Sequence, residues 1–371
     1  MGDTDIVYIT EPEDYLPSGN ELFNITSWGA DMSLMDIIMA YQNNDILKPE
    51  LQRKYVWDKK EASRFIESIL LGLPVPSIFM ANTSNYQKLI VDGYQRIMTI
   101  VDFYNGIWSK DGKIFSLYNS DLINERWRNK TYKELLPEDQ RRFRMYTIHA
   151  IIFEQKHPQD DSGLYQIFER INTSGKTLNA QEIRNCVYQG KMNDLLFELN
   201  RYSNWRQLFG EQTEDSRMMD LEYILRFFAL SQPSVIYNQA KSITLKKVLN
   251  DFMMININGE PIHFEQMKNR FCRCIDYIYE HIGENSFYNL QNDYSAIRRK
   301  FYPGVYDSIM IATDIALSEG CTCIPSEEKR LLLLKDSSYR ESITQGTMQT
   351  HNIRLRIFKA LEYLYNIRRN E

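Results

Sequence analysis

The sequence has no apolar stretch long enough to cross a bilayer. Its first residues, MGDTDIVYIT, lack the basic start and apolar run of a signal peptide. A cytoplasmic chain with no membrane role is therefore expected. Cysteine is sparse and odd in number, five in all, which argues for reduced thiols rather than a disulfide framework. Positive charge is not in excess. The formal net charge of −5 excludes a histone-like basic coat, although a local basic face stays compatible with it, because nucleic-acid binding depends on where charge sits. Internal repeats and low-complexity runs are also missing, which leaves ordinary globular domains.

Several chemistries lack their spacing. Cys272-x-Cys274 and Cys321-x-Cys323, with His263 or His281 nearby, are each one residue short of the usual zinc interval, so no metal site is expected. Gly175-Lys176-Thr177 invites a P-loop reading, but position 170, where the first glycine belongs, is Arg170, and a helix precedes the loop where a strand is required. His157-Pro158 and His351-Asn352 do not sit in the ββα pattern of His-rich nucleases.

What is present is a globular mixture. The 371 residues are 43% hydrophobic and 25% charged, enough for a packed core and two domains. The 24 Tyr and 18 Phe suit large cores first and a base-stacking surface second. Periodicity places a helix at Met32 to Tyr41, with Leu34, Ile37, Ile38 and Tyr41 on one face. Asp58, with Glu61 three residues on, opens a second helix whose apolar face is Phe65, Ile66, Ile69, Leu70 and Leu73. Ser77 to Ala81 and Lys88 to Val91 read as strands. A helix starts directly after Asp92-Gly93, buries Ile97, Ile100, Val101 and Tyr104, and ends at Gly106. Thr147 to Glu154 reads as a further strand. Helices follow at Leu164 to Ile171 and, behind an Asn179/Glu182 capping box, at Ala180 to Tyr188. Beyond Gly190 the periodicity is helical, at Met219–Leu230, Phe271–His281, Tyr306–Leu317 and Leu355–Ile367. The expected organisation is an α+β domain at 1–190 and a mostly helical domain at 191–371.

Three constellations carry chemistry. In the first, strand–Asp92-Gly93-Tyr94-Gln95-Arg96–helix, a helix start offers unpaired N–H groups to an anion, Gly93 lets the backbone turn and approach a ligand, and Gln95 and Arg96 can donate to phosphate oxygens. Asp92 can hold a ribose hydroxyl, a water or a metal ion. The alternative is a plain capped helix with a solvated Arg96. In the second, Gln52-Arg53-x-Tyr55-x-Trp57, an extended segment sets Arg53, Tyr55 and Trp57 on one face, either to grip phosphate and stack a base or to fill a core. In the third, Phe168-x-Arg170-x-Asn172-x-x-Gly175-Lys176-x-Leu178, a polar loop between helices either closes over an anion or simply connects. Basic clusters at Arg141, Arg142 and Arg144 and at Arg298, Arg299 and Lys300 are solvated faces or phosphate contacts.

In order and spacing these segments resemble the GmrSD restriction endonuclease N-terminal domain family, a branch of the ParB/sulfiredoxin superfamily. Pro49, Gln52, Arg53, Tyr55 and Trp57 match its first motif, and Asp92, Gly93, Gln95 and Arg96 its Asp-Gly-Gln-Gln-Arg signature. Phe168, Arg170, Asn172, Gly175 and Leu178 match a later segment, followed by Glu182-Ile183-Arg184-Asn185. Arg217, Asp220, Glu222 and Arg226 fit a pattern in the helical region. Tyr94 and Met98 depart from it, standing where the family usually has Gln and Thr, and both bear on hydrolysis more than on binding.

The resemblance implies a ParB/sulfiredoxin-like domain with a small mixed sheet, followed by helices. It implies a nucleoside triphosphate, with Mg²⁺ as its companion, held by Gln52, Arg53, Tyr55, Trp57, Gly93, Arg170, Asn172, Gly175 and Lys176. Asp92, Gln95 and Arg96 would carry any catalysis. It implies DNA, including modified phage DNA, and a His-Me-type nuclease partner in trans; the basic clusters Arg141, Arg142, Arg144, Arg298, Arg299 and Lys300 are the candidate DNA contacts. The expected role is a nucleotide-dependent DNA-recognition or NTPase subunit of an anti-phage restriction system that does not cut DNA alone. A non-hydrolysing ParB-like clamp or adaptor, or a small-substrate phosphotransfer enzyme, is the alternative.

Overall fold

Ser33 ends one element and starts the next. It closes the strand β1 (Asn24–Ser33) and caps the helix α1 (Leu34–Gln42), where its hydroxyl accepts from Asp36 N while Asp36 accepts from Ser33 N. This capping box satisfies two orphan amides and sets the helix start two residues beyond the expected Met32. The face expected from periodicity, Leu34, Ile37, Ile38 and Tyr41, is buried. The strand before it was not anticipated, because its partner lies far along the chain: Trp28 pairs with Ile152 and Ala30 with Ala150.

The computed structural model describes residues 24–47, 57–83, 87–157, 162–171, 179–215, 217–291 and 296–369. Two compact units divide between Val187 and Tyr188. The first continues with β2 (Ile46–Leu47), α2 (Lys59–Leu71), β3 (Ile78–Asn82), β4 (Lys88–Asp92), α3 (Tyr94–Asn105), α4 (Pro137–Met145), β5 (Thr147–His157), α5 (Ser162–Ile171) and α6 (Ala180–Val187). Its strands form one mixed sheet in the order β1-β5-β3-β4-β2. β1/β5 and β3/β4 are antiparallel, whereas β5/β3 and β4/β2 are parallel.

One face of the sheet, with Ile78, Met80, Ile90, Ile148, Ala150 and Ile152, packs on α1, α2, α3 and α4 in a single apolar cluster. Leu89 and Val91 alternate to the opposite face, are also buried, and have α5 against their strand. α2 begins with the expected Asp58/Glu61 capping box and buries Phe65, Ile66, Ile69 and Leu70. Leu73 is a correction. Gly72 takes a left-handed conformation that ends the helix, so Leu73 leaves the buried stripe and is half exposed. The Asn179/Glu182 box at the start of α6 is formed, with bonds of 2.7 and 2.8 Å.

The second unit is mostly helical: α7 (Lys191–Asn200), α8 (Ser203–Phe209), α9 (Met219–Leu230), α10 (Pro233–Ile236), α11 (Leu245–Ile255), α12 (Pro261–His281), α13 (Pro303–Ser318), α14 (Glu327–Lys335), α15 (Ser337–Thr344) and α16 (Thr350–Tyr365). An antiparallel pair, β6 (Tyr288–Leu290) and β7 (Ile297–Phe301), interrupts the helices, within a unit expected to be mostly helical. α9 is buried along its whole length from Asp220 to Leu230. Its charges are therefore paired: Arg226 grips Asp307 through bonds of 3.1 and 2.6 Å, and Asp220 accepts from Arg206 at 2.8 Å. Such pairs hold because breaking one would strand a charge away from water. Asp220 and Arg226, singled out by motif, are thus scaffold.

Candidate nucleotide site

The corner between β4 and α3 is built from three local facts. β4 delivers Asp92 to the edge of the core. Gly93 then takes φ +100°, a conformation that side chains resist, and α3 starts at Tyr94 with no acidic residue in its first turn. A Cβ on residue 93 would lie 2.5 Å from Ile78 Cγ2. The expectation that Gly93 makes room for a ligand is therefore corrected in part. The space beside its α-carbon belongs to Ile78, and glycine is required by that packing and by its φ.

Arg96 does not lie solvated. Its Nη2 donates to Asp92 Oδ2 at 2.7 Å and to the Ser77 carbonyl at 3.0 Å. The arginine side chain is 14% exposed and the aspartate 34%, so the carboxylate is the member an incoming ligand can reach. Arg96 Nε is buried and has no hydrogen-bond partner among the described residues, which leaves one donor of the fork unspent. Gln95 Oε1 accepts from Trp57 N at 3.3 Å.

That bond joins the end of the Gln52–Trp57 segment to the first turn of α3. Gln52, Arg53 and Tyr55 themselves lie outside the described residues. The Trp57 ring packs edge-on to Phe65, with centroids 5.4 Å apart, against the apolar cluster, so for this residue the core reading is the one observed. Arg170 is exposed at the end of α5. Asn172, Gly175 and Lys176 lie outside the described residues.

Of the two departures, Met98 is in the core and Tyr94 is half-buried against it. Met98 is buried, and its sulfur accepts from Tyr41 Oη at 2.9 Å. Burial, then Asp102, then Cys186 push the Tyr94 hydroxyl up. Cys186 lies on α6, and α6 holds what residue-by-residue reasoning passed over. Gln181, Glu182, Arg184 and Asn185 are all buried. Arg184 Nε donates to Gln181 Oε1 at 2.8 Å, and Gln181 Nε2 to Asn185 Oδ1 at 2.9 Å. A buried polar helix is costly to build, and the only signal for it was the Glu182–Asn185 run already matched to the family motif.

The proposed DNA contacts divide between the two units. Arg141 is exposed, whereas Arg142 donates to the Leu70 carbonyl at 3.0 Å and Arg144 to Tyr132 Oη at 2.8 Å. Arg298 is exposed on β7, Lys300 is half buried, and the Arg299 side chain is outside the described residues. Among the described residues no cluster of His, Cys, Asp and Glu is arranged to hold a metal, and no helix is long and apolar enough to cross a membrane.

No curated protein and no solved structure matches the chain. Residues 34–189 match the family model of the GmrSD restriction endonuclease, N-terminal domain, which points to a role in a DNA restriction system.

Proposed function

From residues 34–189, which match the family model of the GmrSD restriction endonuclease N-terminal domain, we propose that this chain is the nucleotide-dependent DNA-recognition subunit of such a system. The observation that carries the proposal is the β4–Gly93–α3 corner, where Asp92 and Arg96 are locked together at the start of a helix with no acidic residue in its first turn. Phosphate oxygens would take the first amides of α3, whose partial positive charge favours an anion. Asp92, a third exposed, is the group suited to a ribose hydroxyl or to the Mg²⁺ that accompanies a triphosphate. Gln95 and Arg96 would position the phosphate chain, and Arg53 and Lys176 are the further phosphate-binding candidates from the sequence. DNA would be met by exposed basic residues, and cleavage would come from a His-Me-type nuclease partner.

The second reading, a clamp or adaptor that binds nucleotide without turnover, is favoured by one observation. Met98 offers a buried thioether where family members usually carry a hydroxyl. Phosphate release from ATP, GTP and CTP with Mg²⁺, with and without duplex DNA, separates the two. Release stimulated by DNA and lost in Asp92→Asn supports the hydrolase. Binding without release supports the clamp, and absence of both rejects the site.

A further inference from the structure

The motif comparison leaves Cys321-x-Cys323 unused, and the structure gives this pair surroundings that no other cysteine here has. Both lie in the connection between α13 and α14, half buried at the carbonyl end of α16. Cys321 Sγ is 3.5 Å from the Tyr365 carbonyl, and Cys323 Sγ is 3.7 Å from that of Leu364. Each sulfur also receives a donor: Cys323 N donates to Cys321 Sγ at 3.4 Å, and Lys329 Nζ lies 3.1 Å from Cys323 Sγ. Lys329 is itself held by the carbonyls of Ile324 at 2.8 Å and Leu364 at 3.4 Å. The ammonium therefore sits where negative charge on Cys323 sulfur would be met as it attacks.

We propose that Cys323 is a peroxide-reactive modification site, with Lys329 as its positioning cation and Cys321 as the resolving thiol. Cys323 sulfur attacks one peroxide oxygen. An S–O bond forms, the O–O bond breaks, and the leaving hydroxide takes the Cys323 proton to become water. Cys321 sulfur then attacks the sulfenic sulfur. The S–S bond forms, the S–O bond breaks, and the second hydroxide leaves as water with the Cys321 proton. Two thiols and one hydrogen peroxide give one disulfide and two waters.

Cα atoms two residues apart can be separated by no more than about 7 Å, at the outer edge of a disulfide's span. Cys321 sulfur, folded back onto the Cys323 amide, lies on the near side. A bridge across so short a loop is strained and thus readily reduced. Its formation removes both S–H groups from the last turn of α16, whose carbonyls have few other partners.

Cys272 supplies the control inside the same unit. It is also half buried, but burial, reinforced by Asp276, pushes its thiol up to about 11. The full chain, treated with a small excess of hydrogen peroxide and digested under acid, is read by peptide mass spectrometry. The expected product is a 321–329 region two hydrogens lighter, reversed by dithiothreitol, formed well before any oxidation of Cys272. Cys321→Ser should stop at a sulfenic acid on Cys323, trapped by a 1,3-dione. Lys329→Met should slow the reaction about tenfold, the equivalent of one hydrogen bond to a charged group. Oxidation of Cys323 no faster than that of Cys272 in the unaltered chain overturns the proposal, as does an unchanged rate in a folded Lys329→Met variant.

Discussion

A single nitrogen of Arg96 ties three segments together: Nη2 bonds the carboxylate of Asp92 at 2.7 Å and the carbonyl of Ser77 at 3.0 Å, joining the end of β4, the approach to β3 and the first turn of α3. Arg96 is thus both a structural clamp and the cation nearest the proposed phosphate position.

Arg96→Ala should weaken nucleotide binding by about 1.5–3 kcal/mol, the range for a hydrogen bond to a charged group. Titration calorimetry measures the affinity, and circular dichroism checks that the variant is folded. Arg96→Lys keeps the charge but loses the fork, so it should recover part of the affinity and none of the two-pronged geometry. A folded alanine variant that binds as tightly as the parent removes Arg96 from the site.

Gly93→Ala tests the corner itself. The added methyl must accept φ +100° and push Ile78 Cγ2 away from 2.5 Å. A loss of about 1–3 kcal/mol is expected, typical of a side chain forced into a sparsely populated backbone region. Urea unfolding followed by near-ultraviolet circular dichroism reads it. A change within experimental error would mean that the α3 start shifts freely.

Acid stability should depend on Asp336. Burial alone would raise this carboxyl, but hydrogen bonds from Ser338, the Tyr339 amide, Tyr363 and Lys359 outweigh it and hold the group well below the usual carboxylate range. A carboxyl depressed on folding contributes stability that is fully present above its unfolded value, near 4, and is lost as pH falls through the folded one. The parent should therefore lose stability below about pH 4, and Asp336→Asn should be weaker at neutral pH with a flatter acid limb. Parallel pH dependence in the two proteins would assign the acid limb elsewhere.

Direct DNA binding should be weak and salt-sensitive. Arg142 and Arg144 are already committed to Leu70 and Tyr132, so exposed Arg141 and Arg298 are the contacts to alter first. With about four phosphates neutralised, the log–log salt slope is near −3.6, and Arg141→Ala or Arg298→Ala should each reduce it by about 1. Fluorescence anisotropy across a salt series measures this. No binding at low salt would assign DNA recognition to a partner.

Much of the corner was legible locally. Asp92-Gly93 after an apolar run announces a strand end and a helix start, and Gly72 and Gly106 mark helix ends by their left-handed backbone. The capping boxes at Asp58 and Asn179 are interactions across three residues, and the α1 face repeats every three or four. Such signals need no knowledge of the rest of the chain, which is why α2, α3 and α9 appear where caps and periodicity put them. The ordered motifs that resemble one family likewise stand in the sequence itself.

Other features depend on partners far away in the chain, and sequence alone could not decide them. β1 has no strand identity without β5, more than a hundred residues on, and β6 and β7 need each other across a turn inside an otherwise helical run. That Trp57 packs on Phe65, and that Ile78 fills the space beside the Gly93 α-carbon, are contacts no local pattern announces. The charges of Arg226 and Asp307, 81 residues apart, became scaffold only because folding buried both at once. Local sequence sets backbone preference through caps, periodicity and turn residues. Which polar groups lose water, and so must find one another, is decided only when distant segments pack.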